Sequence, residues 1–133
     1  MMNAKPPLRR NDLLHPELSY KVMGVLFDVY NTLGYGYNEQ TYQRAVAAAL
    51  REGKIPFQEQ RYAPLRYRGV RVGRFFLDFL IDGNVALEIK RGDRFAKQHF
   101  DQLREYLQIT GIKLGILAYF APRKLHYRRV INT

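Results

Sequence analysis

The chain has 133 residues, 47% of them hydrophobic and 14% aromatic, which suits a single domain with a core of its own. It carries no cysteine, which excludes disulfides and thiolate metal sites and fits a reducing, cytoplasmic setting. With 22 Lys and Arg against 12 Asp and Glu the net charge is +10, so the favoured partner is a polyanion, nucleic acid ahead of an acidic membrane surface.

Residues 1–15 read as a flexible basic lead-in, with no apolar run of the signal-peptide kind, and 16–133 as one domain. No stretch reaches the length of a membrane span, so no membrane partner is expected. From Pro16 to Leu33, apolar residues recur at three- and four-residue spacing, which predicts a helix with Pro16 in its first turn and Gly34 at its end. After the Gly34-Tyr35-Gly36-Tyr37 break, Asn38 is a capping residue for a second helix over Glu39–Glu52, closed by Gly53. Glu39 lies in its first turn, where complementing the helix dipole is the ordinary role of an acid. Tyr42, one turn on, reads as core packing.

A strand is expected around Phe57–Tyr62, interrupted or placed at an edge by Pro64, and a short one over Leu65–Tyr67, turning at Arg68-Gly69. Arg74 to Lys90, RFFLDFLIDGNVALEIK, then reads as an apolar hairpin. If its loop is Asp82-Gly83-Asn84, Ile81 faces Val85 and Asp78 faces Glu88, with Lys90 on the same side. Phe75, Leu77, Phe79 and Ile81 would form one wholly apolar face. Two carboxylates on such a hairpin need compensation. An ion pair with Lys90 and a hard divalent cation on the oxygens stand level on the hairpin alone.

Asp93 is a candidate cap for a helix over Arg94–Thr110, ended by Gly111. Lys113–Phe120 predicts a buried strand, parallel to 85–90 because a helix intervenes, and Leu125–Ile131 an edge strand. The class is therefore α/β: two helices, an antiparallel meander, a crossover helix and a parallel strand. Arg66, Arg68, Arg71 and Arg74 precede the carboxylates, and Lys90, Arg91, Arg94 and Lys97 follow, where a phosphodiester backbone would lie. His15, His99 and His126 are too scattered to suggest a metal site, and no P-loop lysine follows the glycines at 34 and 36.

The ordered set Glu39, Asp78, Glu88-Ile89-Lys90 and Gln102…Tyr106 resembles the PD-(D/E)XK nuclease superfamily. Within it, Gly36-Tyr37-Asn38-Glu39-Gln40-Thr41-Tyr42 is similar to the naming motif of the small bacterial GxxExxY proteins, and Gln102–Leu107 followed by Thr110-Gly111 also matches, over roughly residues 16–130. Leu77 stands where the superfamily name has proline. The resemblance implies a restriction-endonuclease-like core, a mixed sheet flanked by helices. It also implies Mg2+ or Mn2+ held by Asp78, Glu88 and the Ile89 carbonyl, with Glu39 a further ligand directly or through water. Lys90 would position or deprotonate water, or stabilise charge on phosphate. Gln102 and Tyr106 would orient Lys90 or contact phosphate, and Arg74, Arg91, Arg94 and Lys97 would hold nucleic acid. The implied activity is DNA hydrolysis, DNA favoured over RNA, with pairing of two copies as in related nucleases. Two competing readings are a catalytically silent nucleic-acid-binding module and a basic protein-interaction domain.

Overall fold

The computed structural model describes residues 14–132. Helices α1 (Pro16–Leu33) and α2 (Glu39–Glu52) come first, then strands β1 (Phe57–Tyr67), β2 (Val70–Ile81) and β3 (Val85–Arg91). Helix α3 (Lys97–Thr110) and strands β4 (Leu114–Phe120) and β5 (Leu125–Ile131) complete the chain. Residues 1–13 of the expected lead-in lie outside the described residues. No helix among the described residues is long and apolar enough to cross a membrane.

The strands form one sheet in the order β1-β2-β3-β4-β5, antiparallel throughout except for the parallel β3–β4 pair. That is the expected meander plus one crossover, and α3 is the crossover helix. Strand alternation sends successive side chains to opposite faces. Leu87 and Ile89 of β3 pack with α1 and α2 through Leu26, Tyr42, Val46 and Leu50. Ala86 packs with Leu103, Tyr106 and Leu107 of α3. Glu88 and Lys90 share the parity of Ala86 and so belong to the α3 side. β4 is buried at every residue, which explains its unbroken apolar sequence.

Helix ends follow the expected signals. Asn38 Oδ1 accepts from the Thr41 amide at 2.8 Å, and Gly34, Gly53 and Gly111 close the helices. Tyr42 is fully buried and stacked on Phe120 at 4.2 Å between ring centroids. Its hydroxyl donates to the Gly34 carbonyl at 2.6 Å, tying α2 to the loop before it.

Three details depart from the sequence expectations. β1 is one strand, not two, and carries Pro64 within it; at the sheet edge the missing amide is tolerated. α3 begins at Lys97, and Ala96 rather than Asp93 precedes it, with no side-chain cap. The Ala96 amide donates to the Tyr119 hydroxyl at 3.0 Å and Phe95 packs edge-on against the same ring, which holds this stretch extended. The third departure concerns β2. Its pairing with β3 ends at Phe79↔Leu87, while its pairing with β1 runs on to Tyr67↔Val70. Beyond Phe79, β1 and β2 leave the sheet as a two-stranded arm.

The side-chain alternation of β2 shifts at the same point. Phe79 and Ile81 pack toward α1 and α2, but Leu77 joins the α3 cluster, with Phe75 against it. The expected single apolar face is therefore divided between two cores. Across the ladder, Gln60 sits between the pairs Glu59↔Phe79 and Arg61↔Leu77 with φ 52, a left-handed conformation unusual for a side chain of this kind. The pairing keeps the same register on both sides of Gln60; the one register shift in this ladder lies further out, between Leu65 and Arg66.

Candidate active site

The hairpin turn is the three-residue loop expected. Ile81 pairs with Val85, and Asp82 and Gly83 adopt left-handed conformations, φ 51 and 68. Glycine accepts this freely and aspartate more readily than most residues. The register thus carries Asp78 toward Glu88, but the regular ladder stops one pair short of them. Side chains take over from the backbone there. The Asp78 amide donates to Glu88 Oε1 at 2.7 Å, and the Ile89 amide donates to Asp78 Oδ2 at 2.8 Å. Each carboxylate satisfies an amide that would otherwise lack a partner where the strands part.

The parting opens a cleft of about 460 Å3, lined by Arg74, Phe75, Phe76, Asp78, Glu88, Lys90, Gln102 and Glu105. The free flank of β2 forms one wall, and Gln102 and Glu105 of α3 the other. Asp78, Glu88, Lys90 and Gln102, all expected at the site, are brought together here.

The electrostatics are those of two acids held in too little water. Glu88 is only 7% exposed. Burial first, and then the charge of Asp78, push its carboxyl up to about 8, against the Asp78 amide and the Lys90 charge. Asp78 is also raised, chiefly by burial, while the Ile89 amide and Lys90 work the other way. Lys90 Nζ stands 3.7 Å from Glu88 Oε2, so the ion pair considered from the hairpin exists, but as one cation for two acids.

Glu39 reaches the end of β3 from the first turn of α2, and its Oε2 accepts from the Arg91 amide at 3.2 Å. Its charge is felt at both Asp78 and Glu88. Gln43, one turn further along α2, acts through its side chain to lower the Asp78 pKa against the effect of burial. Sequence reasoning passed over Gln43; the signal was its four-residue spacing from Glu39, which puts both on one helical face.

His99 packs beside this group. The Tyr119 hydroxyl, which accepts from the Ala96 amide, bonds the Nδ1 of His99, and Tyr119 is the register partner of Lys90. Burial and then the Lys90 charge lower the His99 pKa, against the Glu39 charge, which favours the neutral ring.

The outer residues divide. Arg74 lines the cleft. Arg91 is exposed and lies over the Tyr35 ring at 4.8 Å. Arg94 is exposed, and Lys97 pairs with Asp101 at 2.8 Å. Tyr106 departs from its expected role. It is 3% exposed within the α3 cluster beside Leu77, so it presents no surface to phosphate.

The donor set suits a hard cation. Asp78 and Glu88 offer oxygens alone, and a bound cation would balance the second carboxylate that Lys90 leaves uncompensated when both are ionised. Among the described residues no three His, Cys, Asp or Glu side chains stand close enough together to hold a metal ion by themselves. Two carboxylates fit a divalent ion only if water completes its coordination.

Comparison with protein families matches residues 16–130 to the PD-(D/E)XK nuclease superfamily, and the chain belongs to it. The crystal structure of SSO0001 superposes with a TM-score of 0.54 at 19% identity, over 92% of this chain and 60% of that one. An alkaline exonuclease (LHK-Exo) from Laribacter hongkongensis superposes with a TM-score of 0.52 at 13% identity, over 86% of this chain and 69% of that one. These similarities are of fold, and the chain spans about 60% of the length of the first structure. No curated protein matches the chain.

Proposed function

We propose that this superfamily member is a divalent-metal-dependent nuclease that hydrolyses phosphodiester bonds of DNA, built as a single domain over residues 16–133 and working in the cytoplasm. The observation that carries the reading is the pair Asp78 and Glu88. They are locked together by backbone amides at the floor of a cleft with Lys90 beside them and Arg74 on its wall. Hydrolysis forms a bond from a water oxygen to phosphorus and breaks one from phosphorus to a sugar oxygen, which takes up a proton. Asp78, Glu88 and the Ile89 carbonyl would hold Mg2+ or Mn2+, with Glu39 acting through water because one of its oxygens is engaged by Arg91. Such an ion lowers the pKa of bound water and offsets charge on the phosphate. Lys90 supplies fixed positive charge for the phosphate oxygens. Gln102 on the facing wall contacts phosphate, and Arg91, Arg94 and Lys97 hold the flanking strand.

The test is nicking of supercoiled plasmid and cutting of a short single strand with Mg2+, with Mn2+ and with chelator, for the wild type, Glu88→Gln and Lys90→Ala. Cleavage that needs the ion and falls at least about 100-fold in both variants supports the reading. One observation favours a second reading, a silent nucleic-acid-binding module: no three acidic side chains converge among the described residues. Salt-sensitive DNA binding shared by all three proteins, with no cleavage by any, would establish it.

A further inference from the structure

The arm that β1 and β2 form beyond Phe79 carries side chains that the cleft chemistry does not use. Between residues 60 and 77 it holds Arg61, Arg66, Arg68, Arg71 and Arg74, and no acid. Tyr62, Tyr67 and Phe76 are 51%, 59% and 59% exposed. Tyr62 and Phe76 face each other across the ladder, with ring centroids 6.0 Å apart. The Arg74 guanidinium lies over both, at 5.7 and 5.4 Å, and Arg68 covers Tyr67 at 5.0 Å. Arg74 and Phe76 also line the cleft, so the patch is continuous with the two acids.

We propose that this arm binds an unpaired strand of the DNA, its bases stacking on Tyr62 and Phe76 and its phosphates held by the arginines, so that the cleft takes single-stranded or frayed DNA. Aromatic rings and guanidinium planes stack on bases only where those bases are free of their neighbours, as they are in single strands. A duplex offers the arm its phosphates and nothing for the rings. Charge argues against a second copy of the chain as the occupant. Two arms joined along the free flanks of β2 would set arginines against arginines, whereas a polyanion neutralises them.

The proposal rests on the nuclease reading only for what happens in the cleft, and binding is measured apart from cleavage. The probe is a fluorescent oligothymidylate of about 16 nucleotides, compared by anisotropy with a hairpin duplex of equal length, in chelator, on the full chain. The wild type is expected to bind the single strand about tenfold or more tightly than the duplex. Tyr62→Leu and Phe76→Leu should each weaken single-strand binding about 5- to 100-fold and shift duplex binding less than about twofold. Tyr62→Phe and Phe76→Tyr, which keep a ring, should retain it; thermal melting of each variant controls for folding. Equal weakening on both probes, or none, would overturn the proposal. So would loss of a dimer in Phe76→Leu that accounts for the lost binding. If the predicted binding pattern appears without metal-dependent cleavage, the arm stands and the nuclease reading falls. If DNA is cut and the arm variants bind as the wild type does, the nuclease stands and the arm falls.

Discussion

Glu88 accepts the backbone amide of Asp78 at 2.7 Å, and through that bond two acids are fixed side by side at the point where two strands separate. The arrangement ties the stability of the fold to the charge of its site.

Both carboxyls titrate above their ordinary range in the fold, Glu88 from 4.5 to about 8. The folded chain therefore holds protons that the unfolded chain has released, and stability falls as pH rises through that interval. The contribution of Glu88 is fully present below about pH 4.5 and is lost by about pH 8, on the order of a few kcal/mol. In chelator, the difference in melting temperature between wild type and Glu88→Gln should swing in favour of the variant between pH 5 and pH 8.5. Millimolar Mn2+ should raise the wild-type melting temperature at pH 8.5 and hardly at pH 5. A difference that does not move with pH would contradict this account.

The Gln43 side chain favours the ionised form of Asp78. Gln43→Leu should weaken Mn2+ binding about 10- to 100-fold, as loss of a group that orients a metal ligand commonly does. Folding stability should move by less than about 1 kcal/mol, since Gln43 is only half-buried. Calorimetric titration of Mn2+ beside urea unfolding separates the two effects.

Tyr42 has the opposite profile, a structural group beside a site acid. Tyr42→Phe removes the hydroxyl from the Gly34 carbonyl and keeps the ring on Phe120, at an expected cost of about 1–2 kcal/mol. Tyr42→Ala should cost about 3–5 kcal/mol. Mn2+ affinity of the Phe variant should stay at the wild-type value; a drop would place the hydroxyl in the site.

Gly115 lets α3 lie close on β4. A β-carbon there would meet the Leu103 side chain at 3.0 to 3.2 Å. Gly115→Ala should cost about 1–3 kcal/mol through overpacking, and displacement of Leu103 should carry Gln102 with it and lower cleavage. In a Leu103→Ala background the penalty should fall by more than half, which a double-mutant cycle measures directly.

The sequence made some parts of this site plain and hid others. Asp82-Gly83-Asn84 between apolar runs set the loop length, and strand alternation then placed Glu88 and Lys90 on one face. The parallel pairing of β3 with β4 followed from a helix between two buried strands. The parting of β2 from β3 left no comparable trace. It coincides with a left-handed Gln60 on β1, and glutamine carries no signal for that conformation. The start of α3 was misplaced because Asp93 looks like a cap, while the Tyr119 hydroxyl, distant in sequence, takes the Ala96 amide instead. Tyr106 shares a helical turn with Gln102, yet it is buried in the cluster between α3 and the sheet, with Leu77 in the same cluster.

The strands stand in the sheet in the order in which they occur along the chain. As the protein is synthesised, each strand that emerges finds its neighbour already at the growing edge, and none has to insert between two others. Loop closure is short at every step except the α3 crossover, which favours rapid assembly. The end of the chain then acts as a fastener: Asn132 Nδ2 donates to the carbonyls of Leu107 and Ile112 at 2.8 and 3.0 Å, pinning the last turn of the crossover helix once β5 is in place.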